Sequence, residues 1–313
     1  MREKKRILIY KYKMENIDSW KIYYQMIKER CKQLIDSGIW KGIDMNQYLA
    51  WLNNFKTIEE QTFAALILDS LIFRSNDHVV SMLEDVFSRI LHNIWRIKKD
   101  PLYNSINPLM MLKERHGNHN LRIVAAKSLD GDNNVSADYI NHIIYDELQI
   151  RQMYGCDVQK IKEQYENGIR CFLIVDECSL SGTQLDEFLS GIHYNDYPEA
   201  RFYVILCTAH YEAIKMMKNR HPSIEILYAE YLDNSDGFFE EIPYPDLGLA
   251  TKEEAIELYK QLLRSKNIND PNTLGYLDMA LTYAFSNCTP NDSLPILSYE
   301  SRTFKNLTHT RKS

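Results

Sequence analysis

The chain reads as an α/β protein in which a helical amino-terminal region precedes a mainly parallel sheet. Three observations carry that reading. Apolar runs of strand length at 121–126, 171–175, 201–207 and 224–228 alternate with segments of helical period. Ahead of them, apolar side chains recur at helical spacing. The second run ends on two adjacent carboxylates and turns through Ser-Gly-Thr towards a helix.

The elements follow in order. Residues 20–35 contain neither Pro nor Gly and predict a helix that Gly38 stops. Thr57-Ile-Glu-Glu60 has capping-box spacing, a hydroxyl for a downstream amide and a carboxylate reaching back. The stretch 63–73 is apolar on most sides, which predicts a buried helix. Val80, Leu83, Val86, Phe87, Ile90, Leu91, Ile94 and Trp95 repeat the helical period over 79–97, and Asp100-Pro101 ends it. The polar run 113–120 reads as a loop. From Leu121 the pattern changes to a short β-capable run, a Gly/Asn/Asp loop at 127–135, and a helix from Ser136 to about Met153. Cys171-Phe-Leu-Ile-Val175, Arg201-Phe-Tyr-Val-Ile-Leu-Cys207 and Ile224-Glu-Ile-Leu-Tyr228 are further strands, with helices at 183–189 and 210–218 between them. Continuous apolar strands need cover on both faces, which is the habit of parallel sheets built from βαβ units. A second capping-box pattern, Thr251-Lys-Glu-Glu254, precedes a helix at 255–264, and 286–307 reads as irregular.

Composition limits the function classes. Hydrophobic residues make up 45% and charged residues 26% of the 313, which excludes wholesale disorder and allows a sizeable core. A net charge of −6 excludes a chain-wide grip on nucleic acid. Basic residues do gather near both ends (Arg2, Lys4, Lys5, Arg6; Arg302, Lys305, Arg311, Lys312), as solvated termini or as local polyanion contacts. The six cysteines form no CxxC pair and fit neither a disulfide framework nor a zinc site, which suits a reducing compartment. No apolar run suits a secretory leader or a bilayer span, so a cytoplasmic location without membrane contact is expected.

The chemistry concentrates in Phe172-Leu-Ile-Val-Asp-Glu-Cys-Ser-Leu-Ser-Gly-Thr-Gln184. Open parallel sheets bind ligands beyond the carboxyl ends of their strands. There, Asp176 and Glu177 offer acceptors for vicinal hydroxyls or a hydrated Mg²⁺. Ser181, Gly182 and Thr183 offer hydroxyls and amide N–H groups at the positive end of a helix, which suits a phosphate. Gly182 would let the backbone approach that phosphate. Together these describe a site for ribose 5-phosphate. Two other readings stand beside it. An apolar run ending in Asp-Glu is also a Walker B strand, but its partner P-loop needs Gly-Lys, a dipeptide absent from the chain. The segment also reads as a buried strand ending in an acidic turn.

The segment resembles the 5-phosphoribosyl-1-pyrophosphate (PRPP) signature of type I phosphoribosyltransferases: four apolar residues, two acidic ones, a short spacer and a Thr/Ser-Gly phosphate loop. Gln184 and Leu180 depart from it, standing where the family often has a small hydroxyl residue and, in its purine branch, an acidic one. Trp51-Leu-Asn-Asn-Phe55, Leu68-Asp-Ser-Leu-Ile-Phe-Arg74 and Asn287-Cys-Thr-Pro-Asn-Asp-Ser-Leu-Pro295 look like phosphoribosyltransferase-like proteins of bacterial conflict and antiphage gene clusters. The resemblance implies a helical region at 1–114, a type I phosphoribosyltransferase-like α/β core at 115–270 and a carboxy-terminal extension at 271–313. It implies a defence effector that acts beside other proteins of its gene cluster and binds PRPP or a nucleotide. If active, the site would displace Mg²⁺-pyrophosphate at ribose C1, with Asp176 and Glu177 on the ribose hydroxyls or metal and residues 181–184 on the 5′-phosphate. A degenerate site that senses a nucleotide or binds a partner without catalysis is the alternative. By position, Lys127, Ser128 and Ser136 are candidates for a pyrophosphate loop, although Asp130 and Asp132 would repel that anion unless Mg²⁺ intervenes. Thr208 and His210 would sit on the same rim, within reach of a base.

Overall fold

A computed structural model describes residues 17–115, 119–126, 135–241 and 249–310. In chain order its elements are α1 (Ile17–Asp36), α2 (Met45–Leu52), α3 (Ile58–Asp69), β1 (Ile72–Arg74), α4 (Asn76–Asp85), α5 (Leu91–Ile97) and α6 (Pro108–Lys113). There follow β2 (Leu121–Ala125), α7 (Val135–His142), α8 (Ile161–Glu166), β3 (Cys171–Ser179), α9 (Thr183–Gly191), β4 (Arg201–His210), α10 (Tyr211–Arg220) and β5 (Glu225–Leu232). The last are α11 (Phe238–Glu241), α12 (Lys252–Ser265) and β6 (Tyr283–Phe285).

The chain forms two compact units, Met1–Asn76 with Asn234–Lys312, and Asp77–Asp233. This division differs from one at 1–114, 115–270 and 271–313, and the packing of each unit says why. In the first, the two ends of the chain share one core. Trp51 donates its indole N–H to Ile296 O at 3.0 Å, and Asn54 donates to Lys305 O at 2.8 Å. β1 pairs in parallel with β6, Ile72 beside Tyr283, so part of the stretch read as irregular carries a strand. That pairing also explains why the buried helix stops short of Phe73. Ser70 closes α3 by bonding back to Leu66 O at 3.0 Å, and Ile72 N–H then goes to Thr282 O at 2.8 Å. Thr57 and Glu60 form the expected capping box at its other end.

In the second unit, β2-β3-β4-β5 lie in that order and all run parallel, with β3 and β4 inside. One face, including Phe172, Ile174, Phe202, Val204 and Leu206, packs with apolar residues of α8, α9 and α10. Phe172 and Phe202 stand in register with stacked rings 5.1 Å apart. On the opposite face Cys207 Sγ lies 4.0 Å from Val79 O, and the π turn Val86–Ile90 linking α4 to α5 contacts β4 and β5. These contacts place 77–113 with the sheet. Cover on both faces is why strand sequences that would alternate in an open sheet are apolar throughout. α7 extends through a second π turn only to Glu147, short of Met153, because Gln149 adopts a left-handed φ of 56°. Among the described residues, no helix is long and apolar enough to cross a membrane.

Leu173 is fully buried in β3. Leu173→Ala should cost about 3 kcal/mol in urea unfolding, and a loss below about 1 kcal/mol would contradict a covered inner strand. Burial also raises the thiols of Cys31 and Cys156 to about 11 and the Tyr145 hydroxyl to about 12. Unfolded, these groups ionise at about 8.5–10. The unfolded chain therefore loses protons first, and stability should fall as pH rises through about 9 to 11. A urea midpoint that holds steady or climbs over that window would contradict it.

Candidate functional site

The ladder between strands depends on backbone groups, so it continues past the point where the side chains turn polar. β3 stays paired with β4 through Asp176 beside Leu206, Cys178 beside Thr208 and Ser179 beside Ala209. β4 in turn sets Thr208 beside Glu230 and His210 beside Leu232. The acidic pair, Thr208 and His210 are thus strand residues on the carboxyl rim. Alternation sends Asp176 and Cys178 to the face of Thr208 and Glu230, and Glu177 to the face of Cys207. Asp176 is half-buried, whereas Glu177 is 2% exposed.

Asp176 Oδ1 accepts from Glu177 N–H at 2.8 Å, which fixes its carboxylate against its own backbone. Thr208 donates its hydroxyl to Glu230 Oε2 at 3.1 Å. Burial, followed by the charges of Glu177, Asp176 and Glu230, holds the Cys207 thiol well above its ordinary range. Cys207 is therefore a protonated packing group, since the reactive form of cysteine is the thiolate. His210 is buried and caps α10, its Nδ1 accepting from Glu212 N–H at 3.1 Å. As an acceptor that nitrogen carries no proton, so a neutral ring is protonated on Nε2.

Beyond Ser179 the chain bends through buried Leu180 and Ser181 into Gly182, whose φ of 89° and ψ of −13° are left-handed. α9 starts at once, with Thr183 half-buried, Gln184 exposed and no side-chain cap. First-turn amides have no acceptor within a helix, and their partial positive charge suits an anion. The missing side chain at Gly182 serves helix packing: a Cβ there would meet Ala213 Cα of α10 at 3.0 Å and Met216 Sδ at 3.3 Å. The first turn of α9 is anchored by Asp186. Its Oδ1 meets His221 Nε2 at 2.9 Å, Oδ2 pairs with Arg220, and His221 Nδ1 meets the Tyr194 hydroxyl at 3.0 Å.

The fold therefore gathers Asp176, Glu177, residues 181–184, Thr208 and His210 on one rim of one sheet. Lys127 and Ser128 lie outside the described residues. Ser136 falls in the first turn of α7, and its side chain lies outside them too. Sequence reasoning missed Glu230, because the fourth apolar run stops at Tyr228. Carrying its alternation one step further brings Glu230 beside Thr208. It also missed Asp186, Tyr194 and His221, which only the tertiary fold brings together. Among the described residues, no three His, Cys, Asp or Glu side chains gather as a metal cage.

The PRTase-CE family model matches residues 48–309. The chain belongs to the PRTase-CE family. It is thus a phosphoribosyltransferase-like protein, and the parallel sheet flanked by helices is the core of this PRTase-CE chain. No curated protein matches it. Among solved structures, the Helicobacter pylori xanthine-guanine-hypoxanthine phosphoribosyltransferase is similar at 14% identity and a TM-score of 0.26, covering 51% of this chain and 83% of that one. The orotate phosphoribosyltransferase of Aeropyrum pernix is similar at 10% identity and a TM-score of 0.24, covering 39% and 68%. Superpositions this loose add nothing to the family assignment.

Gly182→Ala should destabilise the protein by at least about 1 kcal/mol, since an L side chain resists left-handed backbone and this one also meets α10. An unchanged melting temperature would contradict that geometry. Iodoacetamide at pH 8 should leave Cys207 unmodified in the native protein and label it after unfolding, as peptide mass spectrometry would show.

Proposed function

We propose that this PRTase-CE protein binds a ribose-5-phosphate-bearing ligand, PRPP or a nucleotide, on the β3–α9 rim. The observation that carries the reading is the left-handed turn at Gly182, which leads from a strand with the half-buried carboxylate of Asp176 near its end to a helix start without a side-chain cap. Asp176 accepts from the ribose hydroxyls, and residues 181–184 receive the 5′-phosphate on their amides and hydroxyls. Glu177, buried on the other face, takes a different task, as a tie for the strand end. β2 adjoins β3 in parallel, with Ala125 beside Val175, so the carboxyl end of β2 lies on the same rim. That supports Lys127, Ser128 and Ser136 as the pyrophosphate side. Thr208 and His210 flank the base side, Thr208 together with Glu230.

Mg²⁺ fits this arrangement as an ion brought by the ligand. It commonly binds through one or two carboxylates plus substrate phosphates rather than a full protein cage, and Asp176 supplies such a carboxylate. The metal would neutralise pyrophosphate as it leaves ribose C1.

The biological setting we infer is that of an effector in a bacterial antiphage system, working in the cytoplasm beside proteins of its gene cluster. It rests on the likeness of 51–55, 68–74 and 287–295 to such proteins, and on six free thiols, which suit a reducing compartment. A non-catalytic nucleotide sensor is the second reading. It is favoured by the commitment of His210 Nδ1 to a helix cap and of Cys207 to its protonated form.

Calorimetry with PRPP and Mg²⁺ tests the binding claim. Asp176→Asn keeps the side chain's shape and loses its charge, so affinity should fall by about tenfold or more with the melting temperature nearly unchanged. Equal affinity in the two proteins would overturn the reading. Pyrophosphate release by the wild type on addition of candidate bases would favour the transferase over the sensor.

A further inference from the structure

At the opposite end of the same sheet, the amino ends of β4 and β5 open onto a cavity of about 330 Å³. Arg201, Phe202 and Tyr203 of β4, Glu225 of β5, and Lys98 and Lys99 beyond α5 contribute to its wall, with Tyr194 and Ser223. Thr208 is further along β4 by about 20 Å at the rise of a strand, so this cavity is separate from the carboxyl rim.

Its charged groups are unevenly committed. Asp100, buried in the wall, accepts from Leu102 N–H at 2.8 Å and from the Tyr203 hydroxyl at 2.6 Å, and its Oδ2 lies 2.9 Å from Arg201 Nε. That last contact is an ion pair by distance but lacks hydrogen-bond alignment, for Arg201 Nε is buried without a hydrogen-bond partner. Glu225 pairs with Lys98. Both carboxylates are therefore answered from within the wall. Three cations against two carboxylates leave the lining at 3 − 2 = +1. The Lys99 ammonium has no ion-pair partner among the described residues, and Arg201 meets Asp100 through Nε, so its terminal nitrogens remain as donors. The spare polar capacity is thus ammonium, guanidinium and the Ser223 hydroxyl, which recognise an oxyanion. Phe202 and Tyr194 supply an apolar wall, and the bond from the Tyr194 hydroxyl to His221 holds that ring in place.

We propose that this cavity is a second ligand site, for a small organic oxyanion whose phosphate or carboxylate meets Lys99 and Arg201 and whose apolar part lies on Phe202 and Tyr194. The volume falls at the lower end of small-molecule sites, which run from about 300 to 1,000 Å³. The proposal does not depend on what binds at the β3–α9 rim.

Calorimetry on the full chain tests it, with phenyl phosphate and benzoate as the anionic probes and benzyl alcohol as the neutral one. The wild type should bind at least one of the anions and not the alcohol, and the tighter of the two identifies the preferred headgroup. Lys99→Glu, at an exposed position, should weaken that binding by about tenfold or more, whereas Asp176→Asn on the far rim should leave it unchanged. Absence of binding by either anion, or an affinity of Lys99→Glu equal to wild type, would overturn the proposal. So would binding that Asp176→Asn abolishes and Lys99→Glu does not, which would place the probe on the rim.

Discussion

The rim depends on the backbone at Gly182. A buried inner strand must deliver its carboxyl end to a helix that starts at once, and the left-handed φ of 89° makes that turn without a longer loop. The same residue brings α9 against α10 so closely that Ala213 Cα stands 3.0 Å from where a side chain would begin. Asp186, His221 and Tyr194 then tie the first turn of α9 to the end of α10 and to the chain beyond α9. Helix-terminal amides bind an anion through position more than flexibility, so a helix start fixed by packing and by a buried polar network is already organised for one.

Cover on both faces of the sheet has a second consequence. Asp176 and Glu177 are neighbours in sequence but face opposite sides, one half-buried and the other almost wholly enclosed. Two carboxylates so placed differ in what they can touch. Asp176 shares its face with Thr208 and Glu230, while Glu177 shares its face with Cys207 and contributes to keeping that thiol protonated. The rim therefore has a half-open polar side and a buried acidic side, and the ribose chemistry we propose belongs to the first.

Much of this was legible in the sequence, for physical reasons. Apolar runs mark β2 to β5 because a parallel sheet covered on both faces tolerates little else, and Thr57 with Glu60 announced α3 through a local bond pattern. Strand ends were not legible. The ladder continues to Ser179, His210 and Leu232 on backbone bonds that polar side chains do not interrupt, so His210, expected to open a helix, is the last residue of β4 and a buried cap. The β1–β6 pair joins segments more than 200 residues apart, Ile72 and Tyr283, and no local pattern announces such a pairing. The division into two compact units has no local signal either: segments near both ends of the chain build one core, and only contacts at long sequence separation reveal it. At the site, the motif 172–184 announced its own position, whereas Glu230, Asp186 and His221 acquire meaning only once neighbouring elements are in place.

The central claim is that the helix start after Gly182 receives the phosphate of a ribose-5-phosphate ligand. Backbone amide resonances of ¹⁵N-labelled protein, followed by transverse-relaxation-optimised NMR during titration with PRPP and Mg²⁺, test it most directly. The account predicts that Gly182, Thr183 and Gln184 shift most and saturate together with the calorimetric binding curve. Saturable binding of PRPP with those three amides unmoved would contradict it.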